Sequence, residues 1–206
     1  MQKKSSDPVF PLLPRVAQEN SYYCGPAVLK ALLAFYGKEV TQDEIVAAAG
    51  VAHKIKDHGM TVAELALASR TIAPELQFWS KTNSTMGELS ALINLQQQPI
   101  GIEWQGVFDY PDEDIDEDED DDPGHFSIIT RLDTRNNIVL IADPDRHYAG
   151  KDRLFSVLEL ERRWWDINKV INPFTHIVEE VDDYHVMFFV TKKESVFPEN
   201  YAMQRG

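Results

Sequence analysis

The stretch QENSYYCGPA, residues 18–27, holds the one cysteine of a 206-residue chain. A lone cysteine is most often a small buried hydrophobe, but this one stands just ahead of a helix signal. Pro26 fits a first helical turn, where its missing N–H costs nothing. The run from Ala27 to Tyr36 puts Val28, Leu32 and Phe35 on one face, with Leu29, Leu33 and Tyr36 beside them. Gly37 suits the left-handed residue that closes a helix. A helix apolar almost all round is a central, buried one. A thiol at its start meets unpaired backbone N–H groups and the positive end of the helix dipole, which favour the thiolate.

Three Thr-x-x-Glu capping boxes follow, at Thr41/Glu44, Thr61/Glu64 and Thr85/Glu88. They predict short helices over roughly 42–49, 62–71 and 86–97. Ser156/Glu159 repeats the device before a helix ending near Trp164-Trp165. Strand signals dominate later. Residues 99–104, 125–132 and 138–142 read as strands, the last two as a hairpin joined by a polar turn at 134–137. Residues 184–190, YHVMFFV, read as a late strand. Helices first and antiparallel strands after predict an α+β fold. Residues 1–14 and 192–206 are expected to be loosely held tails around a single domain at 15–191.

The composition narrows the function. Hydrophobic residues make up 43% of the chain, with 4 Trp, 10 Phe and 7 Tyr, as in a folded globular protein. One cysteine cannot close an internal disulfide, which removes the oxidised secreted scaffolds. No stretch approaches the roughly 20 apolar residues of a membrane span. The N-terminus has no apolar run of signal-peptide length, so a cytoplasmic protein is expected. The net charge of −14 is mostly local, because residues 112–122, DEDIDEDEDDD, carry ten acids in eleven positions. Outside that run 24 acids face 20 bases, an ordinary balance with no basic stripe to neutralise phosphates. Nucleic acid is therefore not an expected partner.

Other residues could complete a nucleophilic site around Cys24. A thiolate needs a base, a group to orient that base, and donors for an oxyanion. His125 opens a strand after Gly124, and Asp143 ends its hairpin partner, so the two can meet. Gln18 could place a side-chain N–H beside the backbone N–H of Cys24. Each also has a plain reading: a packed thiol, a strand-end histidine, an Asp-Pro turn, a glutamine before a helix. Zinc is not expected, since no second cysteine exists and His53 and His58 are five apart. No cofactor is expected.

Taken together, Gln-x5-Cys-Gly-Pro-Ala with its apolar helix, then Gly-His-Phe-Ser-Ile-Ile, then Ile-Ala-Asp-Pro, resembles the C39-like cysteine peptidases of the papain-like superfamily. The tail of the pattern fits too, with Gly150, Leu158 and Trp164 following Asp143-Pro144. The resemblance spans about residues 15–166. It implies a papain-like fold, with the nucleophile on the central N-terminal helix packed against a C-terminal antiparallel sheet. It also implies Cys24 as nucleophile, His125 as general base, Asp143 as its orienter and Gln18 in the oxyanion hole. The expected partner is a peptide or protein substrate, with no bacteriocin export implied because no transporter membrane segment is attached. Two alternatives stay open. One is a transpeptidase or amidase of γ-glutamyl type using the same residues, and the other a non-catalytic peptide-binding module that kept the fold. The acidic insertion at 109–123 stands apart from the pattern. It reads as a solvated insertion held open by self-repulsion, as an electrostatic selector of basic substrates, or as a calcium site lacking EF-hand spacing.

Overall fold

Helix α1 (Cys24–Phe35) carries the apolar run of the opening stretch, and residues 25–29 and 31–33 are buried. It begins at Cys24 itself, with Pro26 in the first turn, and no side chain caps its N-terminus. Gly37 follows it at φ +80°. The computed structural model describes residues 10, 12–108, 124–171 and 177–206. The acidic run at 112–122 and residues 1–9 lie outside the described residues.

Helices α2 (Gln42–Ala49), α4 (Val62–Ile72) and α5 (Met86–Asn94) each open with the full reciprocal capping box expected at Thr41, Thr61 and Thr85. A short helix α3 (Ile55–His58) between them was not foreseen. Helix α6 (Val157–Arg163) has half the device, since Ser156 accepts from the Glu159 N–H.

Seven strands form one antiparallel sheet in the order β5-β4-β3-β2-β8-β1-β9. They are β1 (Leu76–Lys81), β2 (Ile100–Gln105), β3 (Gly124–Asp133), β4 (Ile138–Ala142), β5 (Asp152–Phe155), β8 (Met187–Lys192) and β9 (Gln204–Arg205). A separate ribbon pairs β6 (Trp165–Ile171) with β7 (Val178–Tyr184). One sheet face carries Phe78, Phe126 and Phe188, whose rings meet at 5.6–5.7 Å, and α1 lies over it. Gly25 packs so closely there that an added Cβ would sit 3.3 Å from the Phe126 ring. Period-two alternation sends the next residue, Phe189, to the opposite face, where it stacks on Phe197 of a 3₁₀ turn.

Two expectations differ from the structure. The strand read over 184–190 is broken, because His185 takes φ 50° and stacks on Trp164. Tyr184 therefore ends β7 and Met187 begins β8. The C-terminal segment is not a loose tail: its 3₁₀ turn (Phe197–Tyr201) leads to β9, which pairs with β1, and Met203 is buried.

Candidate active site

The β3–β4 hairpin sets the geometry of the site. Ile128 pairs with Ala142, so His125 near the start of β3 and Asp143 just past β4 emerge at the same sheet end. His125 Nε2 lies 2.8 Å from Asp143 Oδ1, and the two side chains are 4% and 0% exposed. With Nε2 so engaged, Nδ1 is the nitrogen left to face Cys24, whose side chain lies near enough to the imidazole to affect its protonation. Cys24 itself is half-buried at the start of α1. The structure thus pairs His125 with Asp143 and places Cys24 nearby.

Charge is stabilised at this pair. Burial opposes protonation of His125, but the hydrogen bonds to Asp143 and Cys24 and the negative charges of both outweigh it, lifting its pKa to about 10. Burial likewise opposes ionisation of Asp143. The contacts to His125, the Asp145 N–H and Arg153 overcome that and hold its pKa down at about 2. The arrangement suits an imidazolium held against the Asp143 carboxylate.

Gln18 is tied to the same corner through its backbone, whose N–H donates to Pro144 O at 2.7 Å. Its side-chain Nε2 donates to Ser21 O at 3.2 Å. Among the described residues it has no hydrogen bond to Cys24, and its Oε1 is buried without a partner. Glu103 Oε2 is the other such orphan among the described residues. Buried unpaired polar atoms are uncommon and call for a reason, and here both belong to residues around Cys24.

Several neighbours were invisible to sequence reasoning. Glu103 on β2 is 2% exposed. Burial first, then the charges of Asp166, Asp183 and Cys24, push its carboxyl well above the usual range, against a hydrogen bond from Asn168. Asn168 Nδ2 spans Glu103 Oε1 at 3.3 Å and Asp183 Oδ2 at 3.0 Å. Gln105 Nε2 donates to Asp166 Oδ1 at 2.9 Å, and the Asp166 carboxylate lies so near Gly124 that a Cβ there would fall 2.6 Å from it. Phe108 packs edge-to-face on the His125 ring at 5.1 Å. Arg153 Nη1 donates to Asp143 Oδ2 at 2.6 Å. The ribbon β6–β7 supplies Asp166, Asn168 and Asp183, and without it in the sequence reading these residues had no place. Among the described residues, no group of three or more His, Cys, Asp or Glu side chains could hold a metal ion, and no helix is long and apolar enough to cross a membrane.

Comparisons with known proteins agree with this architecture. The peptidase domain of Streptococcus ComA, a bi-functional ABC transporter involved in quorum sensing, superposes with a TM-score of 0.55 at 16% identity. The match covers 86% of this chain and 97% of that one. A double glycine motif protease from an AMS/PCAT transporter, solved in complex with the leader peptide, gives a TM-score of 0.54, also at 16% identity. It covers 87% of this chain and 91% of that one. At such identity the likeness speaks to fold, and the fold is that of the papain-like C39 peptidase domains. No curated protein matches the chain in sequence. The family model described as Peptidase_C39 like matches residues 12–172, taking in Gln18, Cys24, His125 and Asp143. A match over most of the chain, on a fold shared with solved C39 domains, makes this protein a member of the Peptidase_C39 like family.

Proposed function

We propose that this protein is a cysteine peptidase that cleaves a peptide substrate by thiolate acyl transfer. The observation that carries the reading is the His125–Asp143 pair at 2.8 Å, set near Cys24 at the open N-terminus of α1. In the proposed mechanism the Cys24 sulfur attacks the scissile carbonyl carbon, and the C=O electron pair moves onto oxygen. The Cys24 backbone N–H holds that oxyanion, together with the Nε2 hydrogen of Gln18 that is not given to Ser21 O. His125 Nδ1 delivers its proton to the amine as the C–N bond breaks, leaving a thioester. Water then loses a proton to Nδ1 and attacks the thioester, and the C–S bond breaks to return the thiolate. Asp143 keeps the imidazole in the productive orientation throughout.

Peptide substrates are favoured by the AMS/PCAT relative, which was solved with a leader peptide. Basic peptides are the class favoured by the acidic run at 112–122, which ends three residues before His125 in the chain.

The test uses the single thiol. Iodoacetamide alkylation is followed against pH in the wild type and in His125→Ala, and a pool of synthetic basic and neutral peptides is incubated with the wild type and with Cys24→Ala. Rapid alkylation well below the free-thiol pKa of about 8.5 is expected in the wild type and lost in His125→Ala. Cleavage is expected to fall about 10³-fold or more in Cys24→Ala. Slow alkylation with an ordinary profile in both proteins, or cleavage that survives in Cys24→Ala, overturns the assignment.

A further inference from the structure

Arg153 is the second residue of β5, and the β4–β5 register sets it opposite Ile141, with Asp152 opposite Ala142. That places it alongside the strand end from which Asp143 emerges. Its guanidinium is divided between two partners. Nη1 donates to Asp143 Oδ2 at 2.6 Å, and Nη2 donates to the Val107 carbonyl at 2.7 Å. Its flat faces are covered as well, with the guanidinium carbon 3.6 Å from the Tyr148 ring centroid and 4.9 Å from that of Phe155. Only 12% of the side chain is exposed. A planar fork that bridges two acceptors and stacks on aromatic rings is a role lysine cannot take.

Both ends of this bridge lead to the imidazole. Asp143 Oδ1 is occupied by His125 Nε2 and the Asp145 N–H, and Oδ2 by Arg153, so the carboxylate cannot turn without breaking a charge-assisted bond. On the other side, Val107 is bonded directly to Phe108, whose ring lies on His125 at 5.1 Å and 81°. Gly106 lets this segment fold close, since a Cβ there would sit 2.5 Å from the Phe108 ring and 3.2 Å from His125 Cβ. One side chain therefore ties down two of the groups that hold the imidazole, a carboxylate at its Nε2 and an aromatic ring against it.

We infer that Arg153 is a positioning residue of this site, setting Asp143 and, through Val107, Phe108, so that the His125 ring is held in the attitude that meets Cys24. The inference rests on the Cys24–His125 reading above and adds to it a residue the family resemblance does not assign. The other charged groups near the imidazole and its partners are Glu103 on β2, Asp166 on β6 and the Asp145–His147 pair, and the variants leave all of them in place.

The experiment is the pH profile of iodoacetamide alkylation at Cys24 in four full-length proteins: wild type, Arg153→Met, Arg153→Lys and His125→Ala, each checked for folding by thermal melting. Arg153→Met is expected to alkylate about tenfold more slowly near pH 6.5, with its profile moved toward that of a free thiol at about 8.5. Arg153→Lys keeps the charge but cannot span Asp143 and Val107 together, and it is expected to recover less than half of that loss. A wild-type profile in folded Arg153→Met overturns the inference. So does full recovery in Arg153→Lys, which would reduce the role to charge. If Arg153→Met does not fold, Arg153→Lys is read by the same criterion, a wild-type profile again overturning the inference. His125→Ala separates the two levels. If it keeps the wild-type profile, the Cys–His reading itself fails; if it loses the low-pH reactivity while Arg153→Met retains it, only the role of Arg153 falls.

Discussion

Glu103 shows how a single buried side chain records the cost of building a charged site. It sits on β2 with one carboxylate oxygen accepting from Asn168 and the other unpaired among the described residues. Burial and then the Asp166 charge raise its pKa well above the ordinary carboxylate value of 4.5. A carboxyl raised in the folded state loses stability as pH climbs above its unfolded value, because the unfolded chain ionises first. Glu103→Gln keeps the shape and the Asn168 contact but removes the ionisation. Its melting temperature is expected to exceed that of the wild type at pH 7–8, with the difference shrinking toward pH 4.5. A variant less stable than wild type at pH 7–8, with the deficit vanishing toward acid pH, would show that Glu103 contributes as a charged partner instead.

At the scale of elements, the helices owe their starts to local chemistry and their positions to the sheet. Thr41, Thr61 and Thr85 each accept from the N–H three residues on while the glutamate returns a bond to the threonine N–H. Alanine at any one of them is expected to cost about 1 kcal/mol. Because the three caps belong to separate helices, the losses should add in a triple variant. Ser156→Ala is expected to cost less, since Ser156 makes one half of the device. Urea titrations of the five variants check both statements, and a strongly non-additive triple would mean that the helices are coupled more tightly than their caps. These starts were legible in sequence because a cap is a contact between residues three apart. The ends were less so: α5 stops at Asn94 rather than near 97, where Gln97 takes φ 53° and its side chain donates back to the Ile93 and Asn94 carbonyls.

For the whole molecule, the site and the stability of the fold are linked through pH. The raised pKa of His125, about 10 against 6.5, contributes stability fully below about pH 6.5 and loses it as pH rises toward 10. The depressed pKa of Asp143, about 2 against 3.8, contributes above about pH 4 and loses it as pH falls toward 2. Glu103 adds a decline that begins above its unfolded value of 4.5. Maximal stability is therefore expected near about pH 4 to 5, with melting temperature falling from pH 7 to 9. His125→Ala should flatten the alkaline slope. A wild-type melting temperature that rises between pH 7 and 9 would contradict the charged pairing of His125.

The sequence by itself determined the α+β class, the buried helix behind Cys24, the three capped helices and the β3–β4 hairpin, and it singled out four candidate residues for the site. Each rests on a periodicity, a cap or a motif that neighbouring residues carry within a short window. Tertiary structure alone decided the rest. The ribbon β6–β7 escaped notice because VEEVDDY is acidic and largely exposed, so it lacks the apolar alternation that marks a half-buried strand. Strand β1 is recognisable only as the partner of β8 and β9, and β9 only as that of β1, since pairing is a long-range contact. Arg153 and Glu103 gain their meaning from neighbours 10 and 65 residues away. A side chain's protonation and orientation depend on what burial removes and what partners restore. Both are properties of the packed molecule, which no local window of sequence contains.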